Sequence, residues 1–158
     1  MLRQLEKLSL EADGRYASAK ELEFLRNYLA AAEQRISAYE KIRDAEEKIL
    51  DQVEQQLRAK SPHIFRKGNH DYSAVCRRDR KHVLRLAAAA MLFADLDALR
   101  DGFLLWYRTI IKAFKDEKVA QVTYQVLPQA VNQVLSGEET PLMQPVMALT
   151  QSILGESA

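Results

Sequence analysis

The sequence predicts an all-α protein, and three observations support this fold class. Glycine and proline, which most often interrupt helices, occur only five and four times among 158 residues. Apolar residues recur at helical spacing along most of the chain. No segment shows the alternation of polar and apolar residues that a half-buried strand needs. A chain of this length can bury a sizeable core in one domain.

The first residues predict a short amphipathic helix over residues 2–12. Three leucines share one face of it: Leu2, Leu5 and Leu8. The dipeptide Asp13-Gly14 favours a turn and would end this helix. Because so short a helix is unstable alone, its apolar face is expected to pack against its own domain or against a partner.

A second helical segment covers residues 20–60. It follows a capping-box pattern, in which the side chains of Ser18 and Glu21 bond to each other's backbone amides. Since this segment is much longer than most helices of globular proteins, we expect a bend or break near 30–35 or 42–46.

The middle of the chain predicts a loop over residues 62–70, with turn-forming residues at Lys67-Gly68-Asn69. A long helix without glycine or proline follows over 72–93. Asp95 then predicts the cap of a short helix near 97–101.

The last third of the chain predicts three more helices. They are expected at 103–114 after a break at Gly102, at 118–135 with a break or bend at Pro128, and from Pro141 to Leu154. A short helix and a loop-rich middle fit poorly into an up-down four-helix bundle. They favour a globin-like arrangement of helices.

The helix over 72–93 holds the chemistry of the chain. It carries the single cysteine, Cys76, and one acid, Asp79, which lie three residues apart and therefore share a helix face. Arg78 lies beside that face. The same stretch has further cations: Arg77, Arg80, Lys81 and Arg85. We expect a thiol, a carboxylate and guanidinium groups to converge on one side of this helix.

Composition and charge exclude several classes of protein. Lys plus Arg total 23 and Asp plus Glu total 22, so the net charge of +1 offers no general attraction to nucleic acid or to a membrane surface. One cysteine excludes an internal disulfide and suits a reducing compartment. The N-terminus is too polar for a signal peptide, and the longest apolar run, 86–94, is too short for a membrane span. We therefore expect a soluble, intracellular protein.

Simpler interpretations exist for each candidate residue. Cys76 could be an ordinary, partly buried thiol. Three of the cations could form a solvated helix face: Arg77, Arg80 and Lys81. The histidines share no metal-ligand spacing, so no metal site is predicted from them: His63, His70 and His82. No arrangement of a histidine and an acid accompanies the cysteine, so no enzyme is predicted.

The segment Cys76-Arg77-Arg78-Asp79, followed by Leu84-Arg85-Leu86, resembles the signature of phycobiliproteins, the light-harvesting α and β subunits of the cyanobacterial phycobilisome. Similar segments occur in order along most of the chain: Ala12-Asp13, residues 15–18, Gly68-Asn69, Tyr72, Asp95 and residues 136–138. The resemblance implies a globin-like phycobiliprotein fold with an N-terminal helical extension. Residues 1–158 would form one domain, with 1–30 as a protruding helical hairpin for subunit pairing and 31–158 as the globin-like body.

The resemblance also implies a cofactor. In that family a cysteine forms a thioether to a phycobilin, a linear tetrapyrrole, and Cys76 occupies its position. Asp79 would accept hydrogen bonds from the central pyrrole N–H groups, and Arg78 would pair with a propionate. The function implied is light harvesting without catalytic turnover, in the cytoplasm at the thylakoid face. The alternative is an unpigmented adapter or regulator of the antenna, which a shorter loop before Cys76 favours.

The resemblance finally implies a partner. In phycobiliproteins the first two helices embrace another subunit, where an Asp and a Tyr of one chain meet an Arg on the partner's central helix. Asp13, Tyr16 and Arg85 match these positions. With the three leucines of the first helix, they predict a homo- or heterodimer, and a phycobilisome linker or core is a further expected partner.

Overall fold

The computed structural model describes residues 1–155 and confirms the all-α, globin-like class. The helices are α1 Leu2–Glu11, α2 Glu23–Ala30, α3 Ala32–Asp44, α4 Glu46–Lys60, α5 Ser73–Phe93, α6 Leu96–Leu99, α7 Leu105–Phe114, α8 Glu117–Asn132 and α9 Thr140–Leu154. Two short antiparallel strands form a hairpin, β1 Arg66–Lys67 and β2 His70–Asp71.

Helix α5 is the central helix of the fold. It packs against α3, α4, α6 and α9. Its second half supplies much of the core with small and medium-sized side chains: Val83, Leu84, Ala87, Ala88, Ala90 and Met91. The alanines let neighbouring helices approach α5 closely, because they add little volume between the backbones. Leu92, which follows Met91 on this helix, is only partly buried.

The predicted segment over 20–60 is three helices, with breaks at Ala31 and Ala45. The helical segment is therefore interrupted in both of the regions where a bend or break was expected. The capping box forms, since the Ser18 amide donates to Glu21 Oε2 (2.8 Å) and the Glu21 amide donates to Ser18 Oγ (3.3 Å). Those bonds close a turn, and regular helix begins only at Glu23.

The predicted break at Gly102 is wrong. A π-helical turn, Arg100–Leu104, joins α6 directly to α7. Glycine in a helix costs only about 1 kcal/mol relative to alanine. Burial of Leu99 and Leu104 on either side outweighs that cost, because both side chains are at most 4% exposed. Helix α8 is not broken at Pro128, which lies inside it.

Helices α1 and α2 attach to the C-terminal end of α5. The Met1 ammonium donates to the Ala94 carbonyl (2.7 Å), and the Tyr28 hydroxyl donates to the Leu92 carbonyl (3.1 Å). The last carbonyls of a helix lack partners within the helix, so these donors satisfy groups that need them. Neither α1 nor α2 contains a buried residue.

Glu139 ties the start of α9 to α3. Its carboxylate accepts bonds from Lys41 (2.7 and 2.8 Å), Ser37 (2.7 Å) and the Ser136 amide (2.8 Å). Burial alone would raise the pKa of Glu139, but these donors together lower it from 4.5 to about 2.

Stability is expected to fall in acid because of Glu139. Its carboxylate has a lower pKa in the folded state, so its contribution is full above the unfolded pKa near 4.5 and is lost as pH falls towards 2. We expect Glu139→Gln to cost roughly 2 kcal/mol at pH 7 and to flatten the decline of unfolding free energy between these pH values. Urea titrations from pH 7 to pH 2 measure this.

The control is Glu138→Gln, since Glu138 is the exposed neighbour of Glu139. This variant should keep the acid dependence of the parent protein. An unchanged pH profile in Glu139→Gln would show that the carboxylate is not the group responsible.

Candidate ligand-binding cleft

A cleft of about 510 Å³ opens beside the first half of α5. The hairpin and the start of α5 form one wall, and the end of α7 and the first half of α8 form the other. Its volume falls within the range of small-molecule and cofactor sites, which are about 300–1,000 Å³. The cleft is therefore large enough to hold an organic cofactor.

Cys76, Arg78 and Asp79 all line this cleft. The one-turn spacing of Cys76 and Asp79 places both side chains on the same wall, as the helical periodicity predicts. Cys76 is half-buried, and burial raises the pKa of its thiol, an effect that nearby Arg80 partly offsets. The thiol is thus protonated at neutral pH in the unliganded protein.

Arg78 and Asp79 form an ion pair at the mouth of the cleft. Arg78 donates to Asp79 Oδ1 through Nε (3.1 Å) and Nη2 (3.0 Å). Both bonds end on Oδ1, so Oδ2 lies outside this ion pair. The Arg78 side chain is 75% exposed, which leaves it free to change partners at little cost.

The cations on the outer face of α5 pair with acids on α4. Arg77 contacts Glu47 (2.6 Å) and Asp51 (2.7 Å), Lys81 also contacts Glu47, and Arg85 holds Glu46. These contacts bridge α4 and α5. Arg77 and Lys81 therefore connect two helices, in addition to lying on a solvated helix face.

For Arg80 the solvated-face prediction is wrong, because its side chain is 3% exposed. It lines the cleft and lies over the ring of Phe65, with the guanidinium carbon 4.9 Å from the ring centroid. The sequence held a signal for this burial. Arg80 lies four residues after Cys76 and four before Leu84, and therefore on the stripe that faces the core.

Two tyrosines that the sequence did not single out as site residues line the inner part of the cleft. Tyr107 and Tyr124 share a hydrogen bond between their side chains. Burial raises the pKa of Tyr107 to about 12 and also raises that of Tyr124. Both hydroxyls stay protonated at neutral pH and offer neutral hydrogen-bonding groups.

Lys67 bridges the two walls of the cleft. From strand β1 its ammonium reaches Asp116 Oδ1 (2.6 Å) and the Phe114 carbonyl (2.6 Å) at the corner between α7 and α8. Lys115 in that corner adopts the left-handed conformation (φ 56°) and ends α7. The hairpin is thereby held across the cleft by a contact that periodicity could not predict.

The residues predicted to pair subunits lie on the surface of the chain. Leu2 is 54% exposed and Tyr16 is 98% exposed, while Leu5 and Leu8 are half-buried and Asp13 is exposed. Arg85 donates to Glu46 through Nε (2.6 Å) and Nη2 (2.8 Å) within its own chain. Any partner acid would compete with Glu46 for this arginine.

Within residues 1–155, no three residues of the His, Cys, Asp or Glu types lie together as metal ligands would. None of the helices in that range combines the length and apolar character that crossing a membrane requires.

Residues 8–154 of this chain match the protein family described as phycobilisome protein. The chain is 31% identical to the allophycocyanin alpha-B chain of Cyanidium caldarium over 149 residues, which cover 89% of this chain and 91% of that one. It is 25% identical to the allophycocyanin alpha chain of Arthrospira platensis over 138 residues, which cover 84% and 85% of the two chains.

Proposed function

Because this chain belongs to the phycobilisome protein family, we propose that it is a light-harvesting protein that carries a bilin linked through a thioether to Cys76. The observation that carries the proposal is the convergence of Cys76, Arg78 and Asp79 on a cleft of about 510 Å³. The bilin supplies the visible absorption. The chain binds it, fixes its conformation and excludes water from it.

The residues of the cleft suit these tasks. Asp79 offers a carboxylate one helical turn from the thiol, where it accepts hydrogen bonds from the pyrrole N–H groups. Arg78 exchanges its bond to Asp79 for a propionate of the bilin. The closely packed side chains of α7 and α8 restrict torsional motion, which would otherwise turn absorbed energy into heat.

The family also implies assembly with other phycobiliprotein subunits. The proposed pairing surface consists of residues on the first two helices and on α5: Leu2, Leu5, Leu8, Asp13, Tyr16 and Arg85. The partner is a second phycobiliprotein-type subunit or a second copy of this chain. We place the assembly, with a phycobilisome linker or the core, at the cytoplasmic face of the thylakoid. Members of the family are pigment proteins rather than enzymes.

An unpigmented adapter or regulator of the antenna is the second candidate. The observation that favours it is the ion pair between Arg78 and Asp79, which gives each group a partner of opposite charge without a ligand. The raised pKa of the Cys76 thiol points the same way, since a protonated thiol is a poor nucleophile.

Expression in a bilin-producing host with candidate lyases separates the two. The pigment proposal expects visible absorbance and zinc-induced fluorescence that stays with the protein on a denaturing gel. A colourless protein under all these conditions favours the adapter.

Asp79→Asn is expected to keep covalent attachment but to shift and broaden the visible band. The amide has no negative charge, so the central nitrogens lose an ionic acceptor and the bilin samples more conformations. Absorption and fluorescence spectra of the purified protein measure this.

Asp97→Asn is the matched control, since Asp97 is an exposed acid that pairs with Arg100 outside the cleft. Its spectrum should equal that of the parent. An unaltered spectrum in Asp79→Asn would remove this carboxylate from the pigment site.

A further inference from the structure

Arg80 is a buried cation whose hydrogen-bonding capacity is unused. Its residue is 2% exposed, and Nε, Nη1 and Nη2 have no hydrogen-bond partner among residues 1–155. Buried polar groups in native proteins are nearly always hydrogen-bonded, so an orphaned guanidinium needs an explanation. Burial also lowers the pKa of Arg80, as expected for a cation that pays for desolvation without full compensation.

The nearest carboxylate does not neutralise Arg80. Glu54 Oε2 lies 3.5 Å from Arg80 Nη2, but it lies equally far from Arg77 Nη1. The other oxygen of Glu54 accepts two bonds from Arg58, at 2.8 and 3.0 Å. Arg58 is hydrogen-bonded to Glu54, and Arg77 pairs with Glu47 and Asp51, so Arg80 is the one of these three arginines that lacks a closely paired acid in the described part of the chain.

We propose that Arg80 binds an acid group of the molecule that occupies the cleft, so that this ligand is an anion whose carboxylate reaches the inner wall beside Cys76. Arg80 lines the cleft four residues along the same helix face from the thiol. Its main remaining contact is the cation–π contact with Phe65, from which a long arginine side chain rotates at low cost.

The ligand class follows from the depth of the two arginines. Arg78 is exposed at the mouth and Arg80 is buried inside, so the cleft offers cations at two depths. A ligand with two acid groups fits this arrangement. The identification of that ligand as a bilin, through its two propionates, rests on the proposed function, whereas the anion site rests on Arg80 alone.

The test uses reversible binding in a Cys76→Ala background. The probes are biliverdin and its dimethyl ester, which differ only in the charge of the propionates. The acid should bind about 10- to 100-fold more tightly than the ester, the range for hydrogen bonds to a charged group. Arg80→Leu should reduce this preference to the part that Arg78 supplies. Arg77→Leu is the matched control and should keep it, because Arg77 pairs with acids on the outer face of α5.

A second measurement does not depend on the bilin. Without ligand, Arg80→Leu should unfold at the same or a higher temperature than its parent, because an uncompensated buried charge is replaced by an apolar side chain. An arginine that only braces the fold would give a lower temperature. Sodium propionate should raise the unfolding temperature of the parent but not of Arg80→Leu, compared with sodium chloride at equal ionic strength.

The outcomes separate the two proposals. A preference for the acid that is undiminished in Arg80→Leu overturns the role of Arg80 and leaves bilin binding standing. Stabilisation by propionate that needs Arg80, in a protein that binds neither biliverdin nor its ester, supports the anion site and contradicts the bilin. No binding of either probe, with no effect of propionate, overturns both.

Discussion

Replacing Cys76 with alanine is expected to abolish all covalently attached colour. The chain has one cysteine, so no other thiol can form the thioether. The side chain is half-buried and makes no disulfide, so the variant should fold and lose only attachment. Intact-mass spectrometry and zinc-induced fluorescence on a denaturing gel, after expression in a bilin-producing host, measure the loss.

Ser73→Ala is a suitable control for this prediction, since it changes a small side chain one turn before Cys76 at the start of α5. It should remain fully labelled. Colour that stays with Cys76→Ala on a denaturing gel would place the attachment on another residue and would remove the observation on which the proposed function depends.

Deletion of residues 1–12 is expected to convert a dimer into a folded or partly folded monomer. No residue of α1 is buried in the isolated chain, so its leucines gain most from a partner. Full burial of an exposed leucine contributes about 1.5–3 kcal/mol before the cost of association, and Leu5 and Leu8 would gain only part of this because they are already half-buried. Within the chain the deletion removes the bond between Met1 and Ala94 and the exposed pair between Arg3 and Asp101, which cost little. Sedimentation over a range of concentrations measures the change.

Tyr16→Ala gives the clearest single-residue test of this interface. Because Tyr16 is 98% exposed, its loss should leave the unfolding of a monomer unchanged and weaken only pairing. Arg85→Glu should weaken pairing more, but it also places a negative charge beside Glu46. A full-length protein that stays monomeric at high concentration, alone and with other members of the family, would refute the pairing surface.

The sequence was most informative where one pattern extends over many residues. Helix α5 was predicted within one residue, because twenty-one residues without glycine or proline keep one helical period. The strands of the hairpin span two residues each, which is too short for any period to be recognised. At Gly102 the low helix propensity of glycine was outweighed by the burial of Leu99 and Leu104 on either side of it.

The candidate site was only partly visible from the sequence for a similar reason. Spacing on one helix brings Cys76 and Asp79 together, and the resemblance identified both. Tyr124 and Lys67 reach the cleft from other elements, so their positions depend on tertiary contacts that no local pattern encodes. Arg80 was misjudged because arginine is usually exposed, although its helical position marked it as buried.

Trp106 is 58% exposed, and this position has a practical consequence. It is the one tryptophan of the chain, and its ring lies 5.9 Å from Phe103 and 6.4 Å from Tyr107, which lines the cleft. The chain therefore contains a fluorescent donor a single side chain away from the proposed acceptor. A near-ultraviolet absorber held in the cleft will quench indole emission by resonance energy transfer, so occupancy can be followed in real time without a label.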